Sequence, residues 1–133
     1  MSILIREPGD WNESWENFKP KELSCSHCKE LKIDTDLMNL LQEARNELGP
    51  IVVSSGYRCP EHNNNISKKT GKNGPHTTGK AIDLFVTNGQ ERKRFIDYFT
   101  NKVTGLGISK SFIHIDLLGS EDGFEMRPNS WVY

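Results

Sequence analysis

The stretch Phe112-Ile113-His114-Ile115-Asp116-Leu117 decides the fold, because side chains alternate across a strand and two kinds of chemistry alternate with them here. Ile113, Ile115 and Leu117 form one face and belong in a core, while His114 and Asp116 share the other. Ala81-Ile82-Asp83-Leu84-Phe85-Val86 repeats the pattern, with Ile82, Leu84 and Val86 turned inward and Asp83 turned away beside small Ala81. A third β-rich segment, Ile51 to Ser55, completes a small sheet. Carboxylates and an imidazole on otherwise apolar strands are costly unless partnered by a hydrogen-bond network, an ion pair or a metal.

Two amphipathic helices accompany the strands. Asp34 is placed to cap a helix that carries Leu37, Leu40, Leu41, Ala44 and Leu48 on one face and stops at Gly49-Pro50. Asn88, with Glu91 three residues on, opens a second that runs through Phe95, Ile96, Phe99 and Val103 to Gly105 or Gly107. The polar stretch from Arg58 to Pro75 reads as loop. The expectation is an α+β fold in a single domain, helices packed on one side of a small, mainly antiparallel sheet.

A length of 133 residues with 35% hydrophobic content suits one core. The net charge of −1 lacks the basic excess of a phosphate-neutralising protein, so no nucleic-acid partner is expected. No apolar run reaches the roughly 20 residues of a membrane span. The opening Met1-Ser2-Ile3-Leu4-Ile5-Arg6 does not read as a signal peptide, and synthesis in the cytoplasm is the expectation. Trp11, Trp15 and Phe18 are a docking stripe or, as such spacing more often means, part of the chain's own packing.

His76 ends the long polar stretch seven residues before Asp83, and Gly79 permits the tight return that brings its imidazole over that strand. His76, Asp83 and His114 then converge as a three-ligand set suited to a catalytic zinc with a fourth position open.

At this point the residues resemble a known family. His76-Thr77-Thr78-Gly79-Lys80-Ala81-Ile82-Asp83 resembles the H-x-x-G-x-A-x-D motif of the zinc D-alanyl-D-alanine carboxypeptidases and related peptidoglycan endopeptidases. Ser55-Gly56-Tyr57-Arg58 resembles their S-G-Y-R segment and Phe112 to Asp116 their C-terminal H-x-D strand, in the same order. The similarity runs from about Phe18 to Trp131 and includes an opening like that of small phage-type members. The resemblance implies that His76, Asp83 and His114 bind Zn2+, and that Arg58 bonds a substrate carboxylate or carbonyl oxygen. It further implies hydrolysis of peptide bonds in the stem peptides or cross-links of bacterial cell-wall peptidoglycan, by water that the zinc activates. Residues 18–133 would form the zinc peptidase domain and 1–17 an N-terminal extension. A monomer is expected, reaching the wall after lysis, by export or within a virion.

Several positions depart from the family pattern. Gly74 stands where many members have Ser, two residues before the first zinc His. Phe112 and Ser111 stand where several branches place a general base. Asp116 is the preferred replacement base, with the alternative that it only orients His114. Glu121, Asp122 and Glu125 are further candidates. Leu118 replaces a common Arg, and Arg127 with Trp131 is the expected substitute for substrate charge and stacking. The absent base also leaves open a catalytically inactive, zinc-containing wall-binding or virion structural module.

Cys25-Ser26-His27-Cys28 is a C-x2-C, and Cys59-Pro60-Glu61-His62 a C-x2-H. Cys25, Cys28, Cys59 and His62 have the types and spacing of a second, structural zinc site; free thiols or a bridge to Cys59 are the alternatives.

Overall fold

The computed structural model describes residues 2–133. In chain order its elements are β1 (Leu4–Ile5), α1 (Pro20–Leu23), β2 (Ile33–Asp34), α2 (Thr35–Leu48), β3 (Val53–Ser55), α3 (Pro60–Ile66), β4 (Ala81–Phe85), α4 (Gly89–Phe99), β5 (Gly105–Ile108), β6 (Phe112–Asp116) and β7 (Asn129–Val132). The fold is α+β. Five strands make one sheet in the order β3-β4-β6-β5-β7, and β1 pairs with β2 in a separate ribbon.

The helices form where their caps and faces dictate. Asp34 accepts from the Leu37 amide at 3.1 Å to start α2, and Gly49, at φ +88°, ends it. Leu37, Met38, Leu41 and Ala44 are fully buried from α2, as is Phe99 from α4. They cover Ile82 and Leu84 of β4 and Ile113 and Ile115 of β6 in one core. Asn88 caps α4 at the Glu91 amide as its sequence suggests, but the helix ends at Phe99, and Gly105 and Gly107 belong to a strand instead of a helix stop.

Two further expectations give way. The sheet is mixed, because the chain after β6 crosses back and lays β7 parallel to β5, with Gly107 opposite Trp131. The stretch from Arg58 to Pro75 is not all loop: Pro60 at the first helical position and Cys59 Sγ accepting from the His62 amide start α3. A thiol cap lies outside the Ser, Thr, Asp and Asn set from which helix starts are read. Trp15 and Phe18 are buried, with Trp15 Nε1 donating to Asn39 Oδ1 at 2.8 Å, so the aromatic stripe packs on its own fold. Ile5 joins the same core. Among the described residues no helix is long and apolar enough to cross a membrane.

The sheet face opposite the helices holds the polar residues. Asp83 pairs in register with His114, and Ala81 with Asp116, across β4 and β6. On the other side of β6, Gly105 and Gly107 lie opposite Asp116 and His114.

Candidate metal centre

His76, Asp83 and His114 come together as the motif spacing predicts. Gly79, at φ +82°, makes the return that carries His76 over β4, and a side chain there would meet Lys32 and Leu4. The three residues are all buried, and their ligand atoms lie within 4.8 Å of one another. Asp83 Oδ1 is 3.1 Å from His76 Nε2 and 3.0 Å from His114 Nδ1.

The protons on these rings are assigned by their other partners. His76 Nδ1 faces the Gly56 carbonyl at 2.8 Å, which only accepts, so Nδ1 carries the hydrogen. His114 Nε2 faces Asp116 Oδ2 at 2.7 Å and carries its hydrogen there. In the neutral rings, His76 Nε2 and His114 Nδ1 therefore aim lone pairs at a carboxylate oxygen. Three electron-rich atoms converging in a buried place repel unless a cation sits among them. Donor atoms around tetrahedral zinc stand roughly 3.3 Å apart, close to the separations found, so the residues fit that ion.

The charges respond to this crowding. Burial lowers the pKa of His76, with Asp83 only partly offsetting it. Burial also works against a charged His114, but its bonds to Asp116 and Asp83 prevail and raise it. Burial opposes a charged Asp83 too, yet His114 and His76 hold its carboxyl well below the usual range.

Asp116 is fully buried and fully engaged. Besides His114, it accepts from Arg127 Nη2 on Oδ2 at 2.8 Å, and from Arg127 Nε and the Leu118 amide on Oδ1 at 3.0 and 3.3 Å. These donors overcome its burial and lower its pKa to about 2. Arg127 thus commits Nε and Nη2 to Asp116, with its guanidinium 4.8 Å from the Trp131 ring. Trp131, half-buried on β7, lies with its ring centroid 5.2 Å from that of His114. Asp122 is bound by Lys80 Nζ at 2.8 Å, while Glu121 and Glu125 are exposed.

Arg58 stands on the other side of Asp83. Its Nε donates to Ser55 Oγ at 3.1 Å, Nη1 to Asn63 Oδ1 at 2.9 Å and Nη2 to Asp83 Oδ2 at 3.4 Å. Burial lowers its pKa, but a guanidinium stays charged. Gly74 explains its own departure from the family pattern. A Cβ there would lie 2.7 Å from Asn63 Nδ2, so its absence admits the asparagine that orients Arg58. A cleft of about 800 Å³ beside Arg58 is bordered by Ser54, Ser55, Gly56, Tyr57 and His62.

Sequence reasoning missed the part played by β5. A Cβ on Gly105 would fall on the Asp116 carboxylate, and one on Gly107 would lie 2.6 Å from Trp131 Nε1. The signal was present as a Gly-x-Gly with strand periodicity shortly before the His-x-Asp strand.

Cys25, Cys28 and Cys59 form a second cluster, their sulfurs within 4.8 Å of one another. His62, expected with them, has Nε2 3.4 Å from Ser26 Oγ, while His27 Nδ1 lies 3.7 Å from Cys59 Sγ.

The model of the Peptidase M15 family matches residues 16–116. No curated protein and no solved structure matches the chain.

Proposed function

The chain belongs to the Peptidase M15 family, and from that premise we propose that it is a zinc-dependent peptidase hydrolysing peptide bonds of bacterial cell-wall peptidoglycan, of the D,D-carboxypeptidase or endopeptidase type. Family membership alone makes it a metallopeptidase; the substrate is our reading. The observation that carries it is the convergence of His76 Nε2, Asp83 and His114 Nδ1 on one buried point. These residues would hold the ion. When bound, zinc supplies a Lewis acid that acidifies water and polarises the scissile carbonyl.

The chain's own residues prepare the rest. Asp116 keeps the proton of His114 on Nε2 and so keeps Nδ1 free to ligate. Arg127 keeps Asp116 ionised. A carboxylate so acidic and so fully bonded is a poor proton acceptor, which supports Asp116 as a positioning residue over a general base. The Gly56 carbonyl does for His76 what Asp116 does for His114. Arg58 has spent three of its N–H groups, and the remaining two offer charge-assisted donors to a substrate carboxylate or to a developing oxyanion. Trp131 offers a flat surface beside His114 for substrate. Arg127 gives two of its five N–H groups to Asp116 and keeps three for substrate charge beside Trp131. The protein acts as a monomer on the wall after lysis, export or delivery in a virion.

The engagement of Asp116 favours one other reading, a catalytically inactive zinc-containing wall-binding or virion module. Metal-replete protein and His76→Ala, incubated with purified peptidoglycan of several wall chemotypes, separate the two by mass spectrometry of the released peptides. New termini from the wild type and none from the variant are expected. No cleavage of any chemotype by the wild type overturns the enzyme reading.

A further inference from the structure

The three cysteines lie outside the centre described above, yet the backbone is arranged around them. Cys25 and Cys28 sit on a tight turn closed by Lys29 N to Cys25 O at 2.9 Å and Cys25 N to Glu30 O at 2.8 Å. Lys29 occupies the left-handed region at φ +68°, the one non-glycine residue to do so among those described. A side chain tolerates that conformation only when its surroundings enforce it. Cys25 Sγ accepts from the Cys59 amide at 3.4 Å. Cys59 Sγ accepts from the His62 amide at 3.4 Å.

Cys25 Sγ and Cys59 Sγ thus each have a backbone donor, although the Cys25–Cys59 hydrogen bond joins segments more than thirty residues apart in sequence. A neutral thiol is a weak acceptor and gains little from such an arrangement, whereas a thiolate is stabilised by it. Three adjacent thiolates repel one another and need a cation, and sulfur ligands select zinc among common divalent ions. Two imidazoles border the cluster, His27 with Nδ1 3.7 Å from Cys59 Sγ and His62 stacked on it at 5.4 Å between ring centroids. Sulfur and nitrogen ligands of a tetrahedral zinc stand roughly 3.6 Å apart.

We propose that Cys25, Cys28 and Cys59 hold a structural zinc ion whose fourth ligand is an imidazole of the stacked His27–His62 pair. The site ties the N-terminal turn to the residue that directly follows Arg58. It thereby fixes the start of α3, whose Asn63 orients the Arg58 guanidinium. It is separate from the His76–Asp83–His114 centre and stands whether or not that centre is catalytic.

Cobalt(II) added to the metal-free, reduced full chain tests it, because only sulfur ligands produce thiolate-to-cobalt charge transfer in the near ultraviolet. The expected result is a charge-transfer band that saturates at one cobalt per chain, persists in His76→Ala, is displaced by zinc and is lost in Cys28→Ser and Cys59→Ser. No band in the wild type, or an undiminished band in both cysteine variants, overturns the proposal. If the cysteine variants fail to fold, the wild-type and His76→Ala spectra decide the matter. A changed visible cobalt spectrum in His27→Ala or His62→Ala supports the imidazole ligand, and unchanged spectra in both overturn it.

Discussion

Asp116→Asn isolates the role of one buried carboxylate, since it keeps the shape and removes the charge. Four donors meet Asp116: His114 Nε2 and Arg127 Nη2 on one oxygen, at 2.7 and 2.8 Å, and Arg127 Nε and the Leu118 amide on the other, at 3.0 and 3.3 Å. Asparagine presents one oxygen and one NH2 group, so in either orientation an N–H group faces two donors. With the NH2 toward Leu118, the Leu118 and Arg127 Nε hydrogens lose their acceptor. With the NH2 toward His114, that ring must move its proton to Nδ1, and the lone pair aimed at Asp83 is gone. The Arg127 side chain is only 8% exposed, so its charge stays buried without a counter-charge. Breaking such a pair costs about 3–5 kcal/mol of stability. Losing the carboxylate that orients a ligating histidine costs about 10–100-fold in metal affinity. Chelator-competition titration with zinc at neutral pH reads the second quantity, and urea unfolding of the metal-free protein reads the first. An Asn variant within about twofold of wild-type affinity, and within about 0.5 kcal/mol in stability, refutes the claim that Asp116 sets the His114 tautomer.

Gly105→Ala is expected to cost about 1–3 kcal/mol and to weaken zinc binding, because the added methyl falls on the immobile Asp116 carboxylate. Gly9→Ala, with nothing within 4 Å, is the control and should leave the melting temperature unchanged; equal melting temperatures for both variants would contradict the packing argument. Arg58→Lys keeps a cation but loses the fork that reaches Ser55, Asn63 and Asp83, and on the proposed mechanism kcat should fall about 10²–10³-fold. A change confined to KM would instead make Arg58 a binding residue. In the metal-free protein, Asp116 has a pKa of about 2 against an ordinary 3.8, and Asp83 is depressed likewise. Their stabilisation is therefore present above the ordinary carboxylate range and is lost as pH falls from about 4 toward 2, with Asp116 contributing on the order of 2 kcal/mol. His76, lowered by burial, adds to the loss in acid as it is forced to charge. His114, raised, contributes stability that is complete below its ordinary pKa and is lost as pH rises through the raised one. Zinc must displace that proton, so its affinity climbs with pH over the same window. Urea midpoints and zinc titrations across pH check both, and a flat acid limb would show that the carboxylates are not stabilised by their partners.

Much of the centre was legible because its signals are local. Period-two alternation put His114 and Asp116 on one face and Ile113 and Ile115 on the other, and β6 displays both faces that way. The His76-to-Asp83 spacing with Gly79 between them described a return that needs only seven residues and one left-handed glycine. Asp34 and Asn88 announced their helices through cap chemistry that each helix repeats. Signals failed where one residue type serves two geometries. Gly105 and Gly107 read as a helix stop because a missing side chain looks the same there as in a strand that must leave room for its neighbours. Cys59 hid the start of α3 because a sulfur cap is uncommon.

The sequence by itself determined which residues are chemically able to ligate and, through strand and turn periodicity, that His76, Asp83 and His114 approach one another. Only the tertiary structure decided what each was free to do. The proton on His114 is set by Asp116, the charge of Asp116 by Arg127 eleven residues on, and the space for that carboxylate by Gly105 on the neighbouring strand. Periodicity carries information along one element, whereas a tautomer, a buried charge and a missing methyl group are fixed by atoms that meet only after the strands have paired.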